Sequence, residues 1–463
     1  MMIPINLLHA FQLENYDIVR FLRFAYSRFW FWFVGSKRQH LVWTKKAVGI
    51  FVLADAIFIL GLLLGYYIFW FSCWFLFVLV GDLILFPIFF IVWCFIMKPV
   101  EYLLEYRIIN KAKNKVKANK QLNIVWITWS YGKTSTKEFL KVLLKDSFDV
   151  IAPIGTHNTL LWVSDFIIKE LKPTTQIMIV EMGAYVPGDI RKLCDIAQPH
   201  FALITWITKQ HLERFKSIES IISTKFEITQ KLTKNDILFV DWENKYIQEW
   251  LSKYCVNTAY QIEKIWKISV EYLPDFSWIS FTYKWEKYET RLLWRHNAKN
   301  LSLAIEVALK CWVPSSILKE KIKNIPFVPH RLELIYNDAT WVYVIDDSFN
   351  GNIDGVKSTM DILKNTPFKW KRIYLTPGLV ELWKESDSIH FDIWCNLVGC
   401  VDKVILINTP WTQKIREWLI SKWFNKDNII IFEYSEDAHK SVWRYASRWD
   451  VIVFQNDLTD NYF

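Results

Sequence analysis

The chain has 463 residues, 52% hydrophobic and 22% charged, with a formal net charge of +9. That balance excludes a disordered, collagen-like or disulfide-scaffold protein, and the length suits two to four domains with ample core. There are 26 Trp and only 13 Gly, where ordinary usage of about 7% would give roughly 32 Gly, so many Trp positions read as glycine codons translated under another genetic code.

Basic residues concentrate early in the chain. Residues 1–46 hold seven Lys/Arg against Glu14 and Asp17, and residues 98–120 hold seven against Glu101 and Glu105. The remaining body is nearly neutral, which does not indicate a nucleic-acid-binding surface. Between the two basic segments, residues 47–97 are almost uninterruptedly apolar, about 76 Å as helix against a hydrocarbon core of about 30 Å. This predicts a transmembrane helical hairpin over 47–97, turning near residues 70–74, between a basic segment 1–46 and a basic juxtamembrane helix 98–120. The excess of Lys and Arg on both flanks places both termini and the rest of the chain in the cytoplasm, anchored at the inner membrane. The seven Cys form no C-x-x-C pair and no Cys/His cluster with zinc spacing, so reduced thiols and no structural zinc are expected.

After residue 120, apolar β-branched runs alternate with amphipathic helical patterns, which predicts an α/β fold. A strand at 122–128 and a helix at 135–145 enclose Thr128-Trp129-Ser130-Tyr131-Gly132-Lys133-Thr134-Ser135. Gly-Lys-Thr at a helix N-terminus is the second half of a phosphate-binding loop. Backbone N–H groups and the helix dipole hold the phosphates, Lys133 reaches the terminal ones, and the Thr134 hydroxyl ligates Mg2+. Further on, Asn297 and Asn300 lie three apart at the start of an apolar helix, on one face of its first turn, where they suit either a ligand or simple N-capping. Strands at 372–376, 403–407, 428–432 and 450–454 make residues 329–463 a second α/β unit.

The segment from Val125 to Glu138 resembles the phosphate loop of the Mur ligase family, G-x-T-G-x-x-G-K-T, with Trp126 and Trp129 at its two earlier glycines. Further segments resemble the same family in its order: Glu181-Met182-Gly183-Ala184, His211-Leu212-Glu213-Arg214-Phe215 leading to Lys225, Arg295-His296-Asn297-Ala298-Lys299-Asn300, and His330-Arg331 followed by Asp346-Asp347-Ser348-Phe349-Asn350-Gly351-Asn352. The pattern is similar to the branch that adds D-alanyl-D-alanine to a muramyl tripeptide. The resemblance implies a P-loop central ATPase domain over 121–328 and a Rossmann-like C-terminal domain over 329–463 that closes over ATP through a hinge near 328–331.

It also implies the chemistry. A substrate carboxylate attacks the γ-phosphate of ATP, and an amine converts the acyl phosphate to an amide. ATP contacts are then expected at Thr128, Ser130, Tyr131, Gly132, Lys133, Thr134, Ser135, Asn297, Asn300, Arg331, Asp346 and Asp347. Two Mg2+ ions would be held by Thr134, Glu181 and His211 together with Lys225, which matches the family lysine that is carbamylated. Lys133, Glu181, His211 and Lys225 form the catalytic set. His157, Asn158, Thr159, Asn350 and Asn352 would meet the peptidoglycan precursor and the D-amino-acid dipeptide. The soluble family members carry a uridine-diphosphate-binding domain where this chain has its expected hairpin. Two other readings stand beside this one: a membrane-tethered poly-γ-glutamate-synthase-like ligase, and a membrane-anchored P-loop ATPase without ligase activity. Trp162, Trp294, Trp312 and Trp383 also sit where the resemblance expects Gly, and Trp341 precedes a strand in a turn.

Overall fold

The computed structural model describes residues 2–13, 18, 21–22, 41, 43–68, 74–128, 132–155, 158–208, 215–255, 258–266, 268–272, 279–292, 295–349, 353–365, 370–379 and 386–455. The chain divides into two compact units, one up to Arg107 and one from Ile108.

The first unit contains α1 (Met2–Leu13), α2 (Lys45–Ile68) and most of α3 (Trp74–Ala118), whose last turns, from Ile108, belong to the second unit. Leu7, Leu8 and Phe11 of α1 share a core with Phe21, Phe90 and the α2 residues Ala47, Ile50 and Ala54. Lys46 pairs with Glu101 at 3.1 Å. Among the described residues, no helix is long and apolar enough to cross a membrane, so the expected transmembrane hairpin is unsupported. Asp55 interrupts the apolar run of α2, and one side of that helix closes on a core within its own unit. The expected turn at 70–74 falls largely on residues outside those described, and α3 runs unbroken through 97–98, where a separate basic helix was expected.

The second unit is built on two six-stranded sheets. The first contains β1 (Asn123–Thr128), β2 (Val150–Ile151), β3 (Ile177–Met182), β4 (Phe201–Ile204), β5 (Ile237–Asp241) and β6 (Gln261–Ile265), in the order β2-β3-β1-β4-β5-β6. Every pairing in it is parallel. Parallel strands covered on both faces read as continuous apolar runs, and β3 and β5 are buried along their whole length. One face packs Val125, Ile127, Ile179 and Phe239 against Phe139, Leu140, Leu143 and Leu144 of α4 (Lys133–Leu144) and against the helix Arg295–Lys310. The other face packs Trp126, Met178, Val180 and Ala202 against Val163, Leu193 and Phe226. A short antiparallel sheet, β7 (Val270–Tyr272), β8 (Ile279–Tyr283) and β9 (Glu286–Thr290), adds Ile279, Phe281 and Tyr288 to the first of these cores; its alternation is too brief to register as a sheet in the sequence.

The second sheet has the order β10-β11-β15-β12-β13-β14, from β10 (Glu333–Asn337), β11 (Val342–Asp347), β12 (Arg372–Thr376), β13 (Lys403–Ile407), β14 (Ile429–Phe432) and β15 (Val451–Gln455). Only β10 runs antiparallel. The four strands expected after residue 370 match β12–β15 to within a residue at either end.

Phe239 is fully buried on β5. Replacing it with Ala is expected to destabilise the second unit by about 3–5 kcal/mol through lost transfer energy and a residual cavity, read as a lower denaturant midpoint with an unchanged slope.

Candidate active site

The parallel register decides where functional groups meet. Thr128, the last residue of β1, sits level with Met182 of β3 and Ile204 of β4. The chain passes from β3 on one side of β1 to β4 on the other, and such a reversal leaves a crevice at the carboxyl ends of the strands. Trp129, Ser130 and Tyr131 lie outside the described residues. The chain re-enters at Gly132, which caps α4 with φ +88, a conformation open to glycine at no steric cost. This turn presents the first amides of α4 to the crevice, where the helix dipole favours an anion.

Around this turn the polar groups are buried and specific. Glu181, fully buried on β3, accepts from the Thr134 hydroxyl at 3.2 Å and from Lys137 Nζ at 3.2 Å. Lys137 Nζ also donates to the carbonyls of Pro153 (2.7 Å) and Gly155 (2.6 Å). Burial pushes Lys133 down to about 8, against the pull of Glu181, and the Arg331 guanidinium lowers it further. Lys225, at the end of the helix Ile218–Phe226, is buried too, and desolvation together with the charge of Lys133 holds its ammonium well below the usual lysine range. Ser135 is buried beside them, and the hydroxyls of Thr128 and Thr136 are buried without a hydrogen-bond partner.

These donors fit a magnesium-bound triphosphate. Orphaned hydroxyls, ammonium groups and a helix N-terminus suit phosphate oxygens, and a hydroxyl beside a carboxylate is an oxygen donor pair of the kind Mg2+ takes. Thr134 and Glu181 would hold the ion. His211, the expected histidine ligand, lies outside the described residues. The described residues contain one other group with metal-ligand geometry, the partly exposed cluster of His330, Glu333 and Asp346.

Asn158 is partly buried and its carbonyl accepts from Gly183 N at 3.0 Å. A Cβ at Gly183 would lie 2.3 Å from Asn158 Oδ1, so a larger residue there would push the Asn158 side chain aside. Thr159, exposed, caps the helix Leu160–Glu170. His157, Asn350 and Asn352 fall outside the described residues.

A cavity of about 510 Å³ opens where the two sheets face each other, lined by Thr205, Trp206, His296, Lys299 and Asn300 from one side and Asp354, Lys357 and Asp361 from the other. Its size suits a nucleotide-sized ligand. Asn300 lines it; Asn297 is buried but does not. Lys299 pairs with Asp241 at 3.2 Å and with Glu243, and its Nζ lies 5.1 Å from the centre of the Trp206 ring. Trp206 Nε1 donates to Asp354 Oδ2 at 2.8 Å, tying the two halves together. Arg331 donates to the Phe349 carbonyl at 2.9 Å and stacks on the Phe349 ring. Asp346 is engaged by His330 (2.7 Å) and by Ser348 N (3.0 Å), at the rim. Asp347 is fully buried, pushed up to about 7 by desolvation, and accepts from Gln455 Nε2 at 2.5 Å.

Sequence reasoning missed Lys137, Trp206, Asp354 and the role of Lys299. Lys137 stands one helical turn after Lys133, on the same face of α4, which was the available signal. Nothing in the sequence links Trp206 to Asp354.

The described residues build a two-sheet α/β fold, with Gly132, Lys133 and Thr134 at the carboxyl end of its first sheet. Residues 127–308 match the Mur ligase middle domain. The chain is 28% identical, over 69% of its length, to the UDP-N-acetylmuramoyl-tripeptide–D-alanyl-D-alanine ligase of Rickettsia prowazekii, covering 74% of that protein. It is 26% identical, over 61% of its length, to the enzyme of the same name from Buchnera aphidicola, covering 62% of it. In fold it is similar to the MurF ligase of Thermotoga maritima, solved in complex with ADP, with a TM-score of 0.64 at 22% identity and coverage of 76% of this chain and 80% of that one. Over residues 127–308 the chain is similar to the Mur ligase middle domain, and over a longer stretch it is similar to ligases named for adding D-alanyl-D-alanine.

Three outcomes follow from the geometry. Lys137→Met is expected to weaken the apparent Mg2+ affinity and lower turnover by about 10–100-fold, measured in a Mg2+ titration of activity. Gly183→Ala displaces the Asn158 side chain and is expected to raise the KM for the carboxylate substrate. A lysine with a pKa lowered to about 8 keeps its proton below that pH and sheds it above. Nucleotide affinity should therefore fall as pH rises through 8, with a proton taken up on binding near pH 8; calorimetry in buffers of different ionisation enthalpy reads the uptake, which Lys133→Met abolishes.

Proposed function

We propose that this protein is an ATP-dependent, ADP-forming ligase that adds D-alanyl-D-alanine to a UDP-N-acetylmuramoyl-tripeptide type of peptidoglycan precursor. The observation that carries the reading is the convergence of Lys133, Thr134, Glu181 and Lys225 at one end of the first sheet, with Arg331 of the second sheet close enough to be felt by Lys133. Relatives of that name match the chain over 62% and 74% of their own length.

Attack of the acceptor carboxylate on the γ-phosphorus releases ADP and leaves an acyl phosphate; attack of the dipeptide amine on its carbonyl carbon then releases phosphate and, with loss of a proton, leaves the amide. Charge develops on the transferring phosphoryl oxygens, which calls for cations in a dry site more than for a covalent nucleophile. Lys133 and Arg331 supply them from opposite sheets, and approach of the second sheet excludes the water that would hydrolyse the acyl phosphate. Bound Mg2+ supplies further charge neutralisation at the phosphates.

Lys225 has a further role in this proposal. An amine whose protonation burial opposes is free to react with CO2, forming a carbamate with loss of a proton, and that exchanges a second buried cation for an anion beside Lys133. The carbamate would then act as an oxygen ligand for a second Mg2+. The expected ATP contacts at Asn297, Asn300, Asp346 and Asp347 and the substrate contacts at Asn158 and Thr159 belong to the same proposal. The segment before Ile108 enters no step of it.

The test is ADP release measured with acceptor and dipeptide varied separately. Release that requires both supports the ligase; phosphate release that ignores every amine overturns it in favour of a plain ATPase. Stripping CO2 from the buffer should lower turnover and bicarbonate should restore it, and Lys225→Met should be inactive and insensitive to both.

A further inference from the structure

Among the described residues, nine other than glycine have positive φ, and five of those nine are tryptophan: Trp285 (φ 68), Trp312 (65), Trp341 (61), Trp423 (68) and Trp449 (72). Tryptophan makes up 26 of the 463 residues, so nine positions drawn without regard to residue type would hold on the order of one or none. A bulky side chain in this region is a genuine outlier, because its Cβ meets the following carbonyl.

Each of the five stands in a turn whose geometry calls for glycine. Lys284 and Trp285 form the two-residue connection between β8 and β9, closed by the pair Tyr283–Glu286, and both have positive φ; a loop of that kind strongly prefers Asn-Gly. Trp312 follows the helix Arg295–Lys310. Its N–H donates to the Leu309 carbonyl at 2.9 Å, and Val313 N donates to the Ala308 carbonyl at 3.0 Å. Trp423 repeats that pattern after the helix Thr412–Ser421, with Trp423 N to Leu419's neighbour Ile420 at 3.0 Å and Phe424 N to Leu419 at 3.1 Å. This double closure is the helix C-terminal motif whose left-handed residue is usually glycine. Trp341 ends the turn from β10 to β11, its N–H donating to the Asn337 carbonyl at 2.7 Å. Trp449 is the third residue of the turn closed by Asp450 N and the Ser447 carbonyl at 3.1 Å, where positive φ calls for glycine.

The side chains give little in return for this strain. Trp285, Trp312 and Trp423 are 99%, 91% and 95% exposed. Trp341 and Trp449 do find partners, with ring centroids 5.3 Å apart, Tyr336 and Tyr343 against Trp449 and Arg448 over Trp341, so the strain goes unrewarded at the three exposed rings. Trp126 is a contrast within the same chain: it lies in β1, is fully buried, and its indole N–H donates to the Ala197 carbonyl at 2.6 Å. The sheet therefore accommodates an indole at the first glycine position of the resembled loop.

We infer that the native polypeptide carries glycine at positions 285, 312, 341, 423 and 449, encoded by UGA codons that its source organism reads as glycine. UGA is one base from the glycine codon GGA. The same decoding puts glycine at 129, in the phosphate loop, where the backbone must approach the phosphates closely. Trp129, Trp294 and Trp383 lie outside the described residues, so the inference stands on the five turns and extends to 129 as a consequence. It concerns residue identity and does not depend on the ligase reading.

The experiment is tandem mass spectrometry of peptides from the native protein, read together with the gene sequence. Glycine at the five turn positions, over UGA codons, is the expected result. Tryptophan at those positions, or UGG codons there, overturns the inference whatever activity the protein has. Nucleotide binding by a recombinant chain carrying Trp129→Gly and glycine at the five turns then tests the ligase reading separately.

Discussion

Two buried ammonium groups, those of Lys137 and Lys225, and the half-buried one of Lys133 gather near the buried carboxylate of Glu181. Lys137 pairs with Glu181 directly, Lys133 feels the same carboxylate, and Lys225 feels Lys133. Charges taken out of water are costly unless opposite charge and hydrogen bonds replace the lost hydration, so this arrangement exists only where the backbone holds all four groups rigidly. The parallel sheet does that. β1 and β3 lie in register, α4 starts at the end of β1, and the hydrophobic faces on either side fix both strands and helices. The excess of positive charge suits a polyanion that carries its own metal ion.

The second sheet has meaning only in relation to this centre. Arg331 stands just before β10, close enough to Lys133 to lower its proton affinity, and Trp206 and Asp354 bridge the two halves across the cavity. Like charges brought together from separate sheets oppose closure by themselves, whereas a phosphate between them turns the repulsion into a clamp. Lys137 links the same centre to the loop at 153–158 by donating to two of its carbonyls, so the carboxylate proposed to hold Mg2+ and the loop expected to meet the substrate share one support.

Much of the second unit was legible in the sequence because its signals are local. β-branched apolar runs mark buried parallel strands, and Gly132-Lys133-Thr134 between a strand and a helix marks the phosphate site by chemistry that needs only adjacent residues. The strands after residue 370 were readable for the same reason. The hairpin expected in the first unit found no support: among the described residues no helix is long and apolar enough to cross a membrane, Ala47, Ile50 and Ala54 share a core with α1, and Asp55 interrupts the apolar run. The odd tryptophan count was visible as composition, but only backbone conformation sorts those in left-handed turns from those, like Trp126, that the core has absorbed.

By itself the sequence determined the α/β class, the phosphate loop and the residue types for phosphoryl transfer, since each rests on neighbours along the chain. Tertiary structure alone decided that Lys137 serves Glu181, that Gly183 packs against the Asn158 side chain, that Asn300 and not Asn297 lines the cavity, and that Trp206 meets Asp354. Those pairs are separated by tens to more than a hundred residues. Strand register and helix packing bring them together, and neither is written in any local pattern.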